Sequence, residues 1–182
     1  MSSKWQSLLD SHEVVRDPSR TLVSEHAPTA AILTCSDARV PPSVIFDQPA
    51  GSLYIVRVAG NTATRTAIAS FDYAVSELGV SLIVVLGHTN CGAVAAACNG
   101  SCSGYLEPLT SQICDLVGEG EKIDVEALTE RNVYAAMAAL EASSSPTGQT
   151  IRDGRVEVQG AIYDVATDQL RPLQLLSTTK TN

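Results

Sequence analysis

The chain has 182 residues, with 20 acidic against 12 basic side chains, a formal charge of -8 and 4% aromatic residues. That length suits one domain, residues 1–182, and no apolar run reaches membrane-spanning length or forms a secretory core, which argues against a membrane partner. Net negative charge without clusters of Lys and Arg argues against a nucleic-acid surface; five cysteines without a secretory signal read as reduced thiols or metal ligands in a cytoplasmic protein.

Residues 4–26 predict an amphipathic helical arm with Trp5, Leu8, Leu9, Val14 and Val15 as apolar contacts, interrupted at Pro18. Thr29–Thr34, apolar from Ala30 to Leu33, reads as a buried strand with Cys35 at its end. Pro41-Pro42 forbids a long helix immediately afterwards. A second strand, Leu53–Val58, ends at Gly60-Asn61. Thr62 is then the expected N-cap of a helix running to Leu78, with Gly79 as its left-handed terminator. Leu82–Leu86 is apolar on both faces, as a central parallel strand is, and it runs into Gly87-His88. A small-residue helix opens at Cys91-Gly92-Ala93 and reaches Ala97. Helices near 108–117 and 124–142, a turn over Ser143–Gly148, a strand over Val156–Val165 and another near Leu170–Leu176 complete the chain. This succession predicts an α/β fold, a mainly parallel sheet flanked by helices.

The chemistry gathers at two strand ends. Cys35, two residues before Asp37, and His88, three residues before Cys91, offer two thiolates and an imidazole, the donor set of a zinc site with an open fourth position. Parallel sheets bind ligands at the carboxyl ends of their strands, where both clusters sit. Asp37 can orient a reacting water through a hydrogen bond. Arg39, two residues on, can hold that carboxylate ionised and aimed. Cys98, Cys102 and Cys114 have no histidine at ligand spacing and are expected to be free thiols. His26 and His12 are the remaining titratable imidazoles.

At these residues the sequence resembles the β-class carbonic anhydrases. Their C-x-D-x-R pattern is met by Cys35, Asp37 and Arg39, and their H-x-x-C pattern by His88 and Cys91. The likeness continues through Ile55-Val56-Arg57, Ala59-Gly60-Asn61, Phe71–Val75 and Val84–His88, and more loosely through Asn132-Val133 and Gly160–Val165. The resemblance implies Zn2+ on Cys35, His88 and Cys91, with Asp37 as a fourth ligand in a closed state. It implies attack of a zinc-bound hydroxide on a small linear substrate, foremost the reversible hydration of CO2 to bicarbonate.

The implied pocket is His26, Val40, Tyr54, Ala59 and Tyr73, the last contributed across a dimer interface. His26 stands where plant-type members carry a glutamine that helps hold substrate, and Tyr54 where phenylalanine is common. These departures keep hydrolysis of carbonyl sulfide or carbon disulfide by the same site as an alternative. A non-catalytic zinc module or thiol redox sensor is a third reading. The family's assembly implies a homodimer or homotetramer in which the arm 1–26 packs on a neighbouring subunit.

Overall fold

In the computed structural model, which describes residues 4–15 and 26–174, the chain opens with helix α1 (Lys4–Val15). Strand β1 (Ala30–Thr34) follows, buried at every residue. A one-turn helix α2 (Pro42–Ile45) starts at the second proline, where a missing N–H costs nothing. Strand β2 (Leu53–Arg57) leads into a 3-10 turn at Ala59–Asn61 and helix α3 (Arg65–Ser76). Strand β3 (Leu82–His88) is followed by four helices, α4 (Gly92–Cys98), α5 (Glu107–Cys114), α6 (Val125–Ala142) and α7 (Pro146–Arg152). Strands β4 (Glu157–Asp164) and β5 (Gln169–Pro172) close the described chain.

The five strands lie in the order β2-β1-β3-β4-β5, parallel except for the antiparallel pairing of β5 on β4. From β1 the chain steps first to one side, to β2, and then to the other, to β3. The crevice between the carboxyl ends of β1 and β3 is therefore a topological switch point, where this class of sheet accepts ligands.

One apolar layer is centred on Phe71, packed with Ala31, Leu33, Ile83, Val85 and Val133. Helix α6 approaches the sheet closely because β3 and β4 carry glycines beneath it. A Cβ at Gly87 would stand 2.6 Å from Val133 Cγ2, and one at Gly160 would stand 2.7 Å from Met137 Sδ. Phe71 is fully buried. Phe71→Ala is expected to cost about 3–5 kcal/mol, read as a lower denaturation midpoint with an unchanged slope in urea.

Several expectations are corrected. Thr62 does not cap α3; Thr64 does, its Oγ1 accepting from the Ala67 N–H at 3.2 Å. The left-handed conformations of Gly60 (φ 74°) and Asn61 (φ 46°) use those residues in the preceding turn and move the helix start downstream. Gly79 does terminate it in the left-handed region, at φ 69°. The turn expected at Ser143–Gly148 contains the start of α7, with Ser145 as N-cap and Pro146 in the first turn.

Cys102 and Cys114 are joined in a disulfide, not free as their spacing suggested. Helix α5 doubles back over the loop and brings the two Cα atoms to 6.0 Å, within bridging range. The free cysteines are Cys35, Cys91 and Cys98. Trp5 and Leu8 of α1 are each 65% exposed within one chain. The side chains of Val14 and Val15, Pro18, and the final residues of the strand expected near 170–176 lie outside the described residues. No helix among the described residues is long and apolar enough to cross a membrane.

Candidate metal centre

Register brings the two sequence clusters together. Thr34 on β1 pairs with Leu86 on β3, so Cys35 and His88 emerge side by side at the carboxyl ends of adjacent strands. Cys91 reaches the same point as the N-cap of α4. Among the described residues, Cys35, His88 and Cys91 form the one group with metal-ligating geometry, their donor atoms all within 4.8 Å of one another. All three residues are buried.

The two sulfurs are 3.9 Å apart. Tetrahedral zinc with Zn–S bonds of about 2.3 Å needs its sulfurs about 3.8 Å apart, so the pair is already spaced for the ion. The histidine is oriented for the same role. Its Nδ1 lies 2.9 Å from the Thr89 carbonyl, which only accepts, so Nδ1 carries the proton. Nε2 is left buried with its lone pair unpartnered. A cation is the partner such an atom lacks.

Electrostatics agree. The hydrogen bond shared with the Cys91 sulfur is the main reason that the Cys35 thiol is pulled down, against burial, with the Gly60 N–H adding to the effect. Cys91 is pushed up, first by that same hydrogen bond to Cys35 and then by burial. Two buried sulfurs 3.9 Å apart beside an unpartnered imidazole nitrogen are a site suited to positive charge. A bound dication favours both as thiolates.

Asp37 stands just outside the three donors, its Oδ2 4.0 Å from His88 Nε2. Arg39 holds it there with two parallel bonds, Nε to Oδ1 at 3.0 Å and Nη2 to Oδ2 at 2.6 Å, and its backbone N–H adds a third to Oδ1 at 2.9 Å. These bonds keep the Asp37 carboxyl well below the usual carboxylate range. Arg39 Nη2 also reaches the Asn90 carbonyl, tying the pair to the loop between His88 and Cys91. Thr89 braces that loop from the other side, donating to Asp164 Oδ1 at 3.2 Å and accepting from the Val165 N–H at 3.1 Å.

The expected pocket residues divide into two sets. Val40 is fully buried in the same apolar cluster as Cys35 and Cys91. Ala59 precedes Gly60, whose N–H meets the Cys35 sulfur at 3.3 Å. The aromatic residues lie elsewhere. Tyr54 pairs with Ala31, three registers before the strand end, which is about 10 Å along the sheet. It stacks with His26 at 6.0 Å between ring centres and lies 6.3 Å from Tyr73 in a tilted pair. This aromatic row lines the edge strand β2, and Tyr73 is 49% exposed. Within one chain it does not surround the donors.

Arg57, the last residue of β2, was assigned no role from the sequence alone. Its Nε donates to the Cys35 carbonyl at 3.0 Å and its Nη2 to the Asp37 carbonyl at 2.5 Å, clamping the segment that carries the first ligand and the carboxylate. An arginine at the carboxyl end of the strand beside Cys35 was the available signal.

Comparison with known proteins agrees with this geometry. The carbonic anhydrase family matches residues 30–170. The chain is 36% identical to carbonic anhydrase 2 of Mycobacterium tuberculosis over 152 residues, 79% of this chain and 73% of that protein. It is similar to the crystal structure of a carbonic anhydrase from Streptococcus mutans, with a TM-score of 0.71 and 28% identity, covering 96% of this chain and 99% of that one. It is also similar to a structure from work on two tetrameric β-carbonic anhydrases of Sordaria macrospora, with a TM-score of 0.64, 28% identity and 81% of each chain covered.

Proposed function

The chain belongs to the β-class carbonic anhydrases and is a zinc-dependent lyase of that type; on that footing we propose that it hydrates CO2 reversibly to bicarbonate, with Cys35, His88 and Cys91 as the metal ligands. The observation that carries this reading is the convergence of those donors beside a carboxylate held off them by Arg39. Zinc held there would supply the Lewis acidity that makes a water nucleophilic.

The remaining work falls to the chain's own residues. Asp37, ionised by its pairing with Arg39, accepts a hydrogen bond from the attacking water at a carboxylate oxygen and turns the water's lone pair toward the substrate carbon. Arg57 keeps the 35–37 segment from shifting under that load. Val40 and Ala59 supply the apolar wall that suits a small uncharged linear substrate.

The aromatic row His26–Tyr54–Tyr73 fits the wall of a neighbouring subunit's site, because it lies along the edge strand β2 rather than around its own donors. We read the protein accordingly as a homo-oligomer. Exposed Trp5, Leu8 and Tyr73 are apolar surface that a second copy covers. The tetrameric relatives of Sordaria macrospora are consistent with that assembly.

The test compares two gases on one zinc-loaded preparation. CO2 hydration followed by stopped-flow pH change is expected to dominate over sulfide release from carbonyl sulfide. Strong sulfide release with negligible hydration would reverse the assignment in favour of a hydrolase. Absence of both activities in zinc-loaded protein would leave a non-catalytic zinc module.

A further inference from the structure

Asn132 is an amide buried on the face of α6 that also presents Leu128, Thr129, Val133, Ala136 and Leu140. It is 2% exposed. Burying an amide is costly unless it is bonded, so its partner indicates what it is for. The Nδ2 donates to the carbonyl of Gly60 at 2.7 Å.

Gly60 lies in the left-handed region at φ 74°, in a turn so enclosed that a Cβ would stand 2.8 Å from Ile113 Cδ1 and 3.1 Å from Ala93 Cβ. On the other side of the same residue, the Gly60 N–H donates to Cys35 Sγ at 3.3 Å. A continuous path therefore runs from α6, through one turn, to a sulfur of the metal centre.

From these contacts we propose that Asn132 is a positioning residue for the metal: by anchoring the Gly60 carbonyl it keeps the Gly60 N–H on the Cys35 sulfur, and so sets how much charge that thiolate gives the ion. The proposal rests on Cys35 being a metal ligand. An N–H donor draws electron density from a thiolate, leaving the ion more electron-poor and the sulfur fixed in direction. Without the anchor, the turn loses that hydrogen bond from α6 and the N–H is free to leave the sulfur. Such outer contacts commonly change metal affinity by about 10–100-fold.

The test uses the full-length protein with Asn132→Leu, which keeps the volume and removes the donor, and Asn132→Ala as the smaller variant. Leu140→Ala, a buried site at the far end of the same helix, serves as the destabilised control. Zinc affinity is measured by competition with a chelator, and the thiolate-to-metal charge-transfer band is recorded after replacing zinc with cobalt(II). Both Asn132 variants are expected to bind zinc about 10–100-fold more weakly. Their cobalt band is expected at longer wavelength, because a thiolate without its N–H donor is more easily oxidised.

Leu140→Ala is expected to lower the melting temperature and leave both readouts unmoved. The proposal is overturned if the Asn132 variants match the parent in band and affinity, if Leu140→Ala moves them equally, or if neither Asn132 variant folds. If the parent itself shows no thiolate-to-cobalt band, the ligand assignment fails first and takes the proposal with it. That outcome is distinguishable from failure in the variants alone.

Discussion

Cys91→Ser is expected to yield a folded protein that has lost its zinc and with it at least about 10³-fold in CO2 hydration, since a Lewis acid worth several kcal/mol in the transition state translates to that factor. The position suits a clean separation of metal from fold. Cys91 is the N-cap of α4, in extended backbone at φ -70° and ψ 120°, and its sulfur makes no capping hydrogen bond. Serine prefers this position and can cap the helix that cysteine leaves uncapped. The substitution therefore removes a soft ligand without removing a structural support.

Metal analysis by mass spectrometry and stopped-flow hydration measure the two losses. A third reading comes from stability. Ion binding to the native state alone contributes about 4 kcal/mol when free zinc is a thousand times Kd. The parent should accordingly melt at lower temperature when zinc is chelated, and Cys91→Ser should melt at one temperature with or without chelator. A Cys91→Ser protein that keeps one equivalent of zinc and the parental rate would remove this cysteine from the metal centre.

The residues that were legible in the sequence are those whose position follows from a strand end. Leu82–Leu86 is apolar on both faces, so it had to be central, and His88 and Cys91 had to emerge at its carboxyl end. Cys35 follows an equally apolar run, and β1 and β3 proved to be neighbours. What stayed hidden depends on contacts between distant residues. Nothing local distinguishes Thr62 from Thr64 as a cap; the choice is made by the left-handed turn at Gly60 and Asn61.

The Cys102–Cys114 disulfide was hidden for a similar reason. It requires knowing that α5 folds back, which a search for ligand spacing does not reveal. The resemblance named His26, Tyr54 and Tyr73 as pocket residues. The register of β2 places Tyr54 about 10 Å along the sheet from the end of β1, and His26 and Tyr73 lie against it. Arg57 and Asn132 were in plain view, but their roles are backbone contacts, to the carbonyls of Cys35, Asp37 and Gly60, that no side-chain pattern encodes.

Asp37→Ala is expected to keep its zinc and its melting temperature while kcat/KM for CO2 falls by about 10²–10³, the usual loss when one preorganised hydrogen-bonding group is removed. Zinc is retained because Asp37 stands outside the three donors, 4.0 Å from His88 Nε2 at its nearer oxygen. Stability is retained because the Arg39 side chain is 53% exposed and ion pairs at such positions contribute little. The pair is thus kept for geometry rather than for folding.

Arg39→Ala should also lose rate, by a different route. Freed from its two parallel bonds, the Asp37 carboxylate can turn toward the donors and take the position that water needs. Arg39→Lys should not restore activity, since an ammonium cannot make the two-point contact of a guanidinium. Because Arg39 acts through Asp37, the double variant should be no slower than Asp37→Ala alone, the non-additivity expected of residues that work as a unit. Stopped-flow rates with metal analysis on the four proteins decide this. Additive losses would assign Arg39 a role of its own, and an Asp37→Ala enzyme with the parental rate would end the case for this carboxylate in the reaction.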